Sequence, residues 1–345
     1  MAGVVGEVYS KFLLRKVALI SVLLLALIVL ASVAVSVGAA SVGMKGAISA
    51  LFGGGDRFTK VIVLRMRLPR VLMAILAGAG LAASGTVMQG VLRNPLASPF
   101  TLGVASAAGF GAALAMVLGA SFASWGKYVV ATNAFMFATL ASFLVYGLAK
   151  LRGATSEGMI LAGIAIMYMF SALTSVLEYM GKKEDVHAIV FWLMGNLSGA
   201  DFGKVLVVLI VISISLPPLI MRSWDLNALT LGDEAAESLG VNVERARMVG
   251  MVLSSLATSG VICFTGTIGF VGLVSPHITR MAIGGDNRFL IPASCLSGAL
   301  LLLGADTIAR TVLAPTEVPV GIMTSLVGIP FFLYLLFRKR REYWR

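Results

Sequence analysis

Long apolar runs, each closed by a charge or by a Gly/Pro break, recur along this chain with only short polar connections between them. The first, residues 17–40, contains no charged residue. A membrane-crossing helix needs about 20 apolar residues. Runs at about 70–91, 101–120, 128–149, 158–179, 203–222, 248–264, 290–312 and 318–337 meet or approach that length. One more, at about 269–283, is shorter, is preceded by Gly266 and Gly269 and carries Gly272 and Pro276. It is expected to lie buried among its neighbours. Backbone groups surrounded by lipid must be satisfied within their own segment, so each run is predicted helical. The pattern predicts an all-α polytopic membrane protein of about ten transmembrane helices, in a single transmembrane domain over residues 1–345.

Composition agrees. Hydrophobic residues make up 59% of the chain and charged residues 12%, with a mean hydropathy of +0.97, whereas a soluble domain carries about 25% charge. The run 17–40 is too long for a signal-peptide core and lacks a convincing cleavage site, so it reads as a retained first span. The net charge of +11 belongs to the flanks of the spans. Lys11, Arg15, Lys16, Arg93, Lys150, Arg152, Arg222, Arg245, Arg247, Arg280, Arg288, Arg338, Lys339, Arg340, Arg341 and Arg345 all fall on one side, 16 of the 27 basic residues. That side is cytoplasmic by the positive-inside rule and holds both termini. No basic–aromatic surface is left over for nucleic acid. Cys263 and Cys295 sit in or beside apolar runs and read as small core residues.

A second group of basic residues breaks the rule. Arg57, Lys60, Arg65, Arg67 and Arg70 crowd the outer end of the second span, and Arg310 ends the ninth on the same side. Positive charge held there calls for an acidic partner. Small residues fill the interior: the run GAGLAASG (78–85) lets helices approach closely. The segment LAASGT (81–86) is echoed by LATSGV (256–261), which raises the expectation of an internal pseudo-repeat over about 70–180 and 248–337.

Four stretches carry chemistry. The longest charged segment, 225–247, contains LGDEAAESLGVNVERAR. Asp233 is expected to cap a short helix, Glu234 to complement its dipole, Ala235 and Ala236 to form a flat face, Leu239 to offer an apolar anchor and Gly240 to stop it. The segment is either a solvated loop or a helix that docks into a groove of a soluble partner. In Asn94-Pro95-Leu96-Ala97-Ser98-Pro99 the prolines force a non-helical turn at the cytoplasmic boundary. Gln89, about one turn earlier, is placed to hydrogen-bond across helices, with a ligand role as the lesser reading. In GTIGFVGLVSPHITR (266–280), His277 is expected to be structural, because His187 is the chain's only other histidine and no cysteine stands at ligand spacing. Asp306 lies inside a span and is expected to make a helix-packing hydrogen bond, while Glu317, between Pro315 and Pro319, shapes an outer loop. No P-loop motif is present. Nor is there a paired-carboxylate or His-Glu constellation within a span, and Asp306 and Glu178 are few acids for a proton-coupled carrier.

RLPR (67–70), the Asn-Pro-Leu-Ala turn, FWLMG (191–195), the Glu-Ala-Ala segment, GFVGLVSPH (269–277), ADTIAR (305–310) and EVPVG (317–321) follow one another in an order that resembles the FecCD-type permeases for iron–siderophore, heme and vitamin B12 complexes. The likeness runs from about residue 60 to the C-terminus; Phe202 departs from it, since relatives often carry tryptophan there. The resemblance implies a vitamin B12 permease-like fold and the permease subunit of a type II ATP-binding-cassette importer in the plasma (inner) membrane. It implies a homodimer, two ATPase subunits below, an extracytoplasmic substrate-binding protein above and a metal-chelate substrate. ATP and Mg would belong to the ATPase, so this chain would have no catalytic site and no bound cofactor or metal. It further implies that Arg67, Arg70 and Arg310, with Arg65 as a fourth, dock the binding protein. Asp233, Glu234, Ala235, Ala236, Leu239 and Gly240 would couple to the ATPase, and Asn94, Leu96, Thr155 and Ser156 would form the cytoplasmic gate. A molybdate- or tungstate-type oxyanion importer is the alternative within this class. An ion-coupled secondary carrier and a membrane-embedded enzyme are the alternatives outside it.

Overall fold

The computed structural model describes residues 2–38, 40, 42–119, 128–151 and 153–337. Of the residues used to orient the chain, Arg152, Arg338, Lys339, Arg340, Arg341, Arg345 and the side chain of Lys11 lie outside this description. The described residues form helices α1 (Ala2–Ser36), α2 (Gly43–Leu51), α3 (Arg57–Val91), α4 (Val104–Leu118), α5 (Val129–Lys150), α6 (Ser156–Met180) and α7 (Lys183–Leu193). They continue with α8 (Phe202–Met221), α9 (Ser223–Leu229), α10 (Asp233–Ser238), α11 (Val243–Thr265), α12 (Val271–Ile283), α13 (Asn287–Ala309) and α14 (Val320–Phe337). Helices α1, α3, α5, α6, α8, α11 and α13 are each long and apolar enough to cross a membrane. The three remaining expected spans correspond to α4, α12 and α14, of 15, 13 and 18 residues. At 1.5 Å per residue α12 is only about 20 Å long, so it cannot span a 30 Å hydrocarbon core alone. It is held inside the protein, as its glycines and proline led one to expect.

Helix α3 is the hub. Within its most apolar window 78% of residues are buried, against 11% for α1, which lies at the periphery. The run GAGLAASG explains the difference. A Cβ on Gly78 would stand 2.4 Å from the Gly298 carbonyl oxygen of α13, and a Cβ on Gly85 would stand 1.7 Å from that of Gly272 in α12. Backbone therefore meets backbone at both crossings. Ser84 Oγ adds a hydrogen bond of 2.9 Å to the Ser254 carbonyl of α11, so the two echoing segments lie on helices that pack together.

At its outer end α3 is wider than an α-helix. Residues Val61–Arg67 form π-type turns, with the Leu68 N–H donating to the Val63 carbonyl. Pro69 has no N–H to continue the α pattern, and the wider turn carries the chain past it into regular helix. At the inner end, the Asn94 side chain accepts from the Leu96 N–H at 2.9 Å. Ser98 and Thr101 cap a single 3-10 turn before α4 begins.

The crossings generate a test. Gly85→Ala, which forces apart two backbones in contact, is expected to cost about 1–3 kcal/mol or more and to lower the melting temperature in detergent. Gly147→Ala on α5, where nothing lies within 4 Å of the added Cβ, is expected to leave stability unchanged or raise it by up to about 1 kcal/mol. Thermal unfolding of the two variants side by side checks this.

Candidate functional site

Three clusters stand along the passage direction. The outermost is built on the charges that broke the positive-inside rule. Arg70 Nε donates to both Asp306 oxygens at 3.0 and 3.1 Å, and its Nη1 donates to Glu317 Oε2 at 2.7 Å. Arg310 Nε lies 3.6 Å from the same Asp306 carboxylate. Arg67 Nη1 donates to the carbonyls of Val35 and Ser36 at 2.9 and 2.8 Å, and Arg310 Nη2 donates to that of Ala34. Those carbonyls close α1, whose last turn lacks intrahelical donors and carries the negative end of the helix dipole.

Arg67, Arg70, Arg310 and Asp306 are all buried, and Glu317 is 41% exposed. Within the chain, Arg70 and Arg310 thus have acidic partners, whereas Arg67 is held by carbonyls. Of the four arginines expected to face a docking partner, only Arg65 is exposed. Asp306 makes the predicted interhelical bond, and Glu317 reaches from its loop to share Arg70.

The middle cluster was not foreseen. FWLMG, GTIG and VPVG, far apart in sequence, converge behind one cavity. A Cβ on Gly195 would stand 2.4 Å from the Thr267 carbonyl oxygen, and one on Gly321 2.2 Å from that of Met194. The Asn196 N–H donates to the Thr265 carbonyl at 2.7 Å, and Thr267 Oγ1 donates to that of Leu193. The cavity, of about 530 Å³, is lined by Phe100, Ser106, Met194, Thr267, Ile322 and Ser325 among others, and none of the described residues lining it is charged. The glycines and threonine of these motifs were the only signal in the sequence, and they do not reveal which segments meet.

The inner cluster surrounds α10. Its N-cap is Gly232, and Asp233 is its first residue. The expected capping bond from Asp233 is absent, because Gly232 occupies the cap position and the Asp233 carboxylate is engaged elsewhere. It accepts from Arg247 Nη2 at 2.8 and 3.0 Å and stands 3.3 Å from Arg93 Nη2. Glu234 is exposed in the first turn. The flat alanine face is turned inward, with Ala236 buried and Ala235 half-buried.

Gly240 ends α10 as predicted, at φ +82°. The Gly240 N–H donates to the Glu237 carbonyl at 2.9 Å and the Val241 N–H to that of Ala236 at 3.0 Å, the paired closure of a left-handed helix stop. Leu239 is 64% exposed and Leu231 67%. Of the residues expected to form a cytoplasmic gate, Leu96 is exposed, Thr155 caps α6 by accepting from the Gly158 N–H at 3.1 Å, and Ser156 is buried. Arg247, read from sequence only as one more cytoplasmic charge, is 3% exposed and bonds to Ser156 as well as to Asp233. Gln89 Nε2 donates across to the Leu273 carbonyl of α12 at 3.5 Å. The His277 ring packs edge-on to Phe331, 6.0 Å between centroids.

The base of the 225–247 segment is tied down separately. Asp286 caps α13 and accepts from Asn227 of α9 at 3.0 Å and from Arg288. Burial works to raise its pKa, but the hydrogen bonds from Arg288 and Asn227 hold it down at about 2.

With this geometry in hand, the chain was compared with known proteins. The model of the FecCD transport family matches residues 23–338. An ABC transporter permease protein of Methanocaldococcus jannaschii is 46% identical over 84% of this chain and 86% of its own length. The hemin transport system permease protein of Yersinia pestis is 41% identical over 81% and 83%. A solved metal-chelate type ABC transporter in an inward-facing conformation superposes with a TM-score of 0.82 at 33% identity, covering 92% of this chain and 98% of that one.

The outer cluster yields a pair of opposed expectations. Asp306→Asn leaves Arg70 and Arg310 buried without their shared counter-charge, a loss worth about 3–5 kcal/mol. Glu317→Gln removes a partly exposed partner and is expected to cost only about 0.2–1 kcal/mol. Melting temperatures of the two purified variants distinguish these losses.

Proposed function

The chain belongs to the FecCD transport family, and from that premise we propose that two copies of it form the membrane passage of an importer for a metal chelate. It is a multi-pass permease of the inner membrane. ATP hydrolysis is the work of separate ATPase subunits, and permeases of this kind operate with an ATPase and a binding protein.

The observation that carries the substrate reading is the uncharged wall of the cavity. Among the described residues, the only polar side chains lining it are the hydroxyls of Ser106, Thr267 and Ser325. A bare oxyanion entering it would lose its water without gaining a cation, at a cost of several kcal/mol. A metal enclosed in an organic ligand presents a surface that needs no such partner. The hemin permease of Yersinia pestis and the metal-chelate transporter with the same fold support the same class. A second copy would supply the facing wall.

In this mechanism the binding protein would dock above and release the chelate into the cavity. Its acidic groups would meet the exposed Arg65 first, and then the rim where three guanidinium groups outnumber two carboxylates. There they would compete with Glu317 for Arg70. Below, α10 would seat in the ATPase through Leu239 and Glu234, with Leu231 beside them. Closure of the ATPase dimer on ATP would move α10, and the turns holding Asn94, Leu96, Thr155 and Ser156 would open or close the cytoplasmic mouth. Access then alternates between the two sides, and hydrolysis resets the assembly.

The decisive experiment is co-expression with a cognate ATPase and binding protein, followed by uptake into proteoliposomes. ATP-dependent accumulation of hemin, a ferric siderophore or cobalamin with no accumulation of molybdate is expected; the reverse preference would sink the substrate reading. Uptake that persists without the ATPase but collapses with the ion gradient would sink the importer reading. Leu239→Asp is expected to lower co-purification of the ATPase about tenfold, the scale of losing one buried anchor. Arg65→Glu is expected to weaken capture of the binding protein in low salt and to matter little at about 1 M salt, where exposed charges are screened.

A further inference from the structure

We infer that Arg247 is a positioning residue that couples α10 to the cytoplasmic mouth, by holding Asp233 and the loop at Ala154–Ser156 on one buried guanidinium. The inference rests on α10 being the ATPase-docking helix. Arg247 Nη2 donates to the Asp233 carboxylate at 2.8 and 3.0 Å and to Ser156 Oγ at 3.1 Å. Its Nη1 donates to the Ala154 carbonyl at 3.4 Å, and its Nε to that of Val91, in the last turn of α3, at 3.5 Å. Three separate segments are thereby fixed to one planar group, whose donors cannot move independently of each other. Arg93, just beyond α3, also reaches Asp233, at 3.3 Å.

The backbone around this group is held out of its ordinary state. Among the described residues, three that are not glycine have left-handed φ, and two of them flank Arg247: Arg93 at 48° and Ala154 at 51°. Such conformations persist where surrounding contacts impose them. The apolar packing is also shared, since Ala236 of α10, Val91 of α3 and Leu92 just beyond it, Ala154, and Val243 and Ala246 of α11 belong to one buried cluster. Displacement of Asp233 would leave Arg247 buried without its counter-charge, so the lower-energy response is for the two loops to travel with α10. A pull on α10 is thus delivered to the gate as a whole.

The test uses the full chain co-expressed with its ATPase and reconstituted in lipid, with spin labels at Glu237→Cys on α10 and Leu151→Cys in the loop before α6. Both positions are exposed, and Cys263 and Cys295 are replaced by alanine to keep the labelling specific. In the chain with Asp233 intact, the label-to-label distance is expected to stay constant when ATP closes the ATPase. Asp233→Asn keeps the side-chain shape and is expected to retain the ATPase. Transport should fall about tenfold, within the usual range of coupling between sites, and the ATP-bound distance distribution should broaden. Asp233→Glu, which keeps the carboxylate, should recover much of the transport. Unchanged transport and distances in Asp233→Asn overturn the inference alone. Loss of the ATPase from Asp233→Asn also overturns it, because Asp233 would then be a direct contact. Failure of the unmutated chain to retain the ATPase removes the docking reading, and the inference with it.

Discussion

Contact of α3 with its neighbours at the level of the backbone governs this molecule. Lipid is as apolar as a leucine side chain, so helices in a bilayer gain little by hiding apolar surface from it and must associate through close packing. Gly78 against Gly298 and Gly85 against Gly272 provide that packing, at separations no larger side chain allows. Because α3 lies so near α13, the Arg70 side chain spans the gap to Asp306. Because it lies so near α12, Gln89 reaches the Leu273 carbonyl. The short α12 keeps its place for the same reason.

The two ends of α3 handle buried charge differently. At the outer end, Arg70 and Arg310 share two carboxylates, while Arg67 and Arg310 also donate to the free carbonyls at the end of α1. This arrangement joins α1, α3 and α13, and beside it Glu317, Arg65 and Arg57 are exposed. At the inner end, one buried guanidinium serves segments that differ in exposure, and its carboxylate belongs to a short helix flanked by two exposed leucines. Between the two ends lies a cavity without charge. Fixed charge thus frames the passage and is absent from its wall, an arrangement suited to cargo that brings its own coordination shell.

The periodic and local features of this fold were legible in the chain. Uninterrupted apolar runs located most of the spanning helices to within a few residues, although α1 and α3 begin at Ala2 and Arg57, well before their runs at 17 and 70. Asn-Pro and Ser-Pro marked the turn after α3, and GAGLAASG identified the face used for close packing. Gly240 was recognisable as a helix stop, and Leu239 as an exposed apolar residue beside it. Asp306 was recognisable as a charge that needs a partner, because an isolated carboxylate in a membrane is too costly to leave alone. Each of these follows from forces acting within a few residues, or from the difference between water and lipid, and both are written in sequence order.

Only the tertiary structure decided which groups meet. Arg70 and Asp306 are 236 residues apart, and nothing in either neighbourhood says that one answers the other rather than an acidic protein outside. Asp233 was expected to cap α10, yet it stands one residue inside the cap at Gly232 and its carboxylate pairs with the buried Arg247. The convergence of Gly195, Thr267 and Gly321 behind the cavity likewise depends on how α7, α12 and α14 are stacked. Helix positions are set by solvent and local geometry, which the sequence by itself determines. Pairings across helices are set by packing distance, which exists only once the chain has folded.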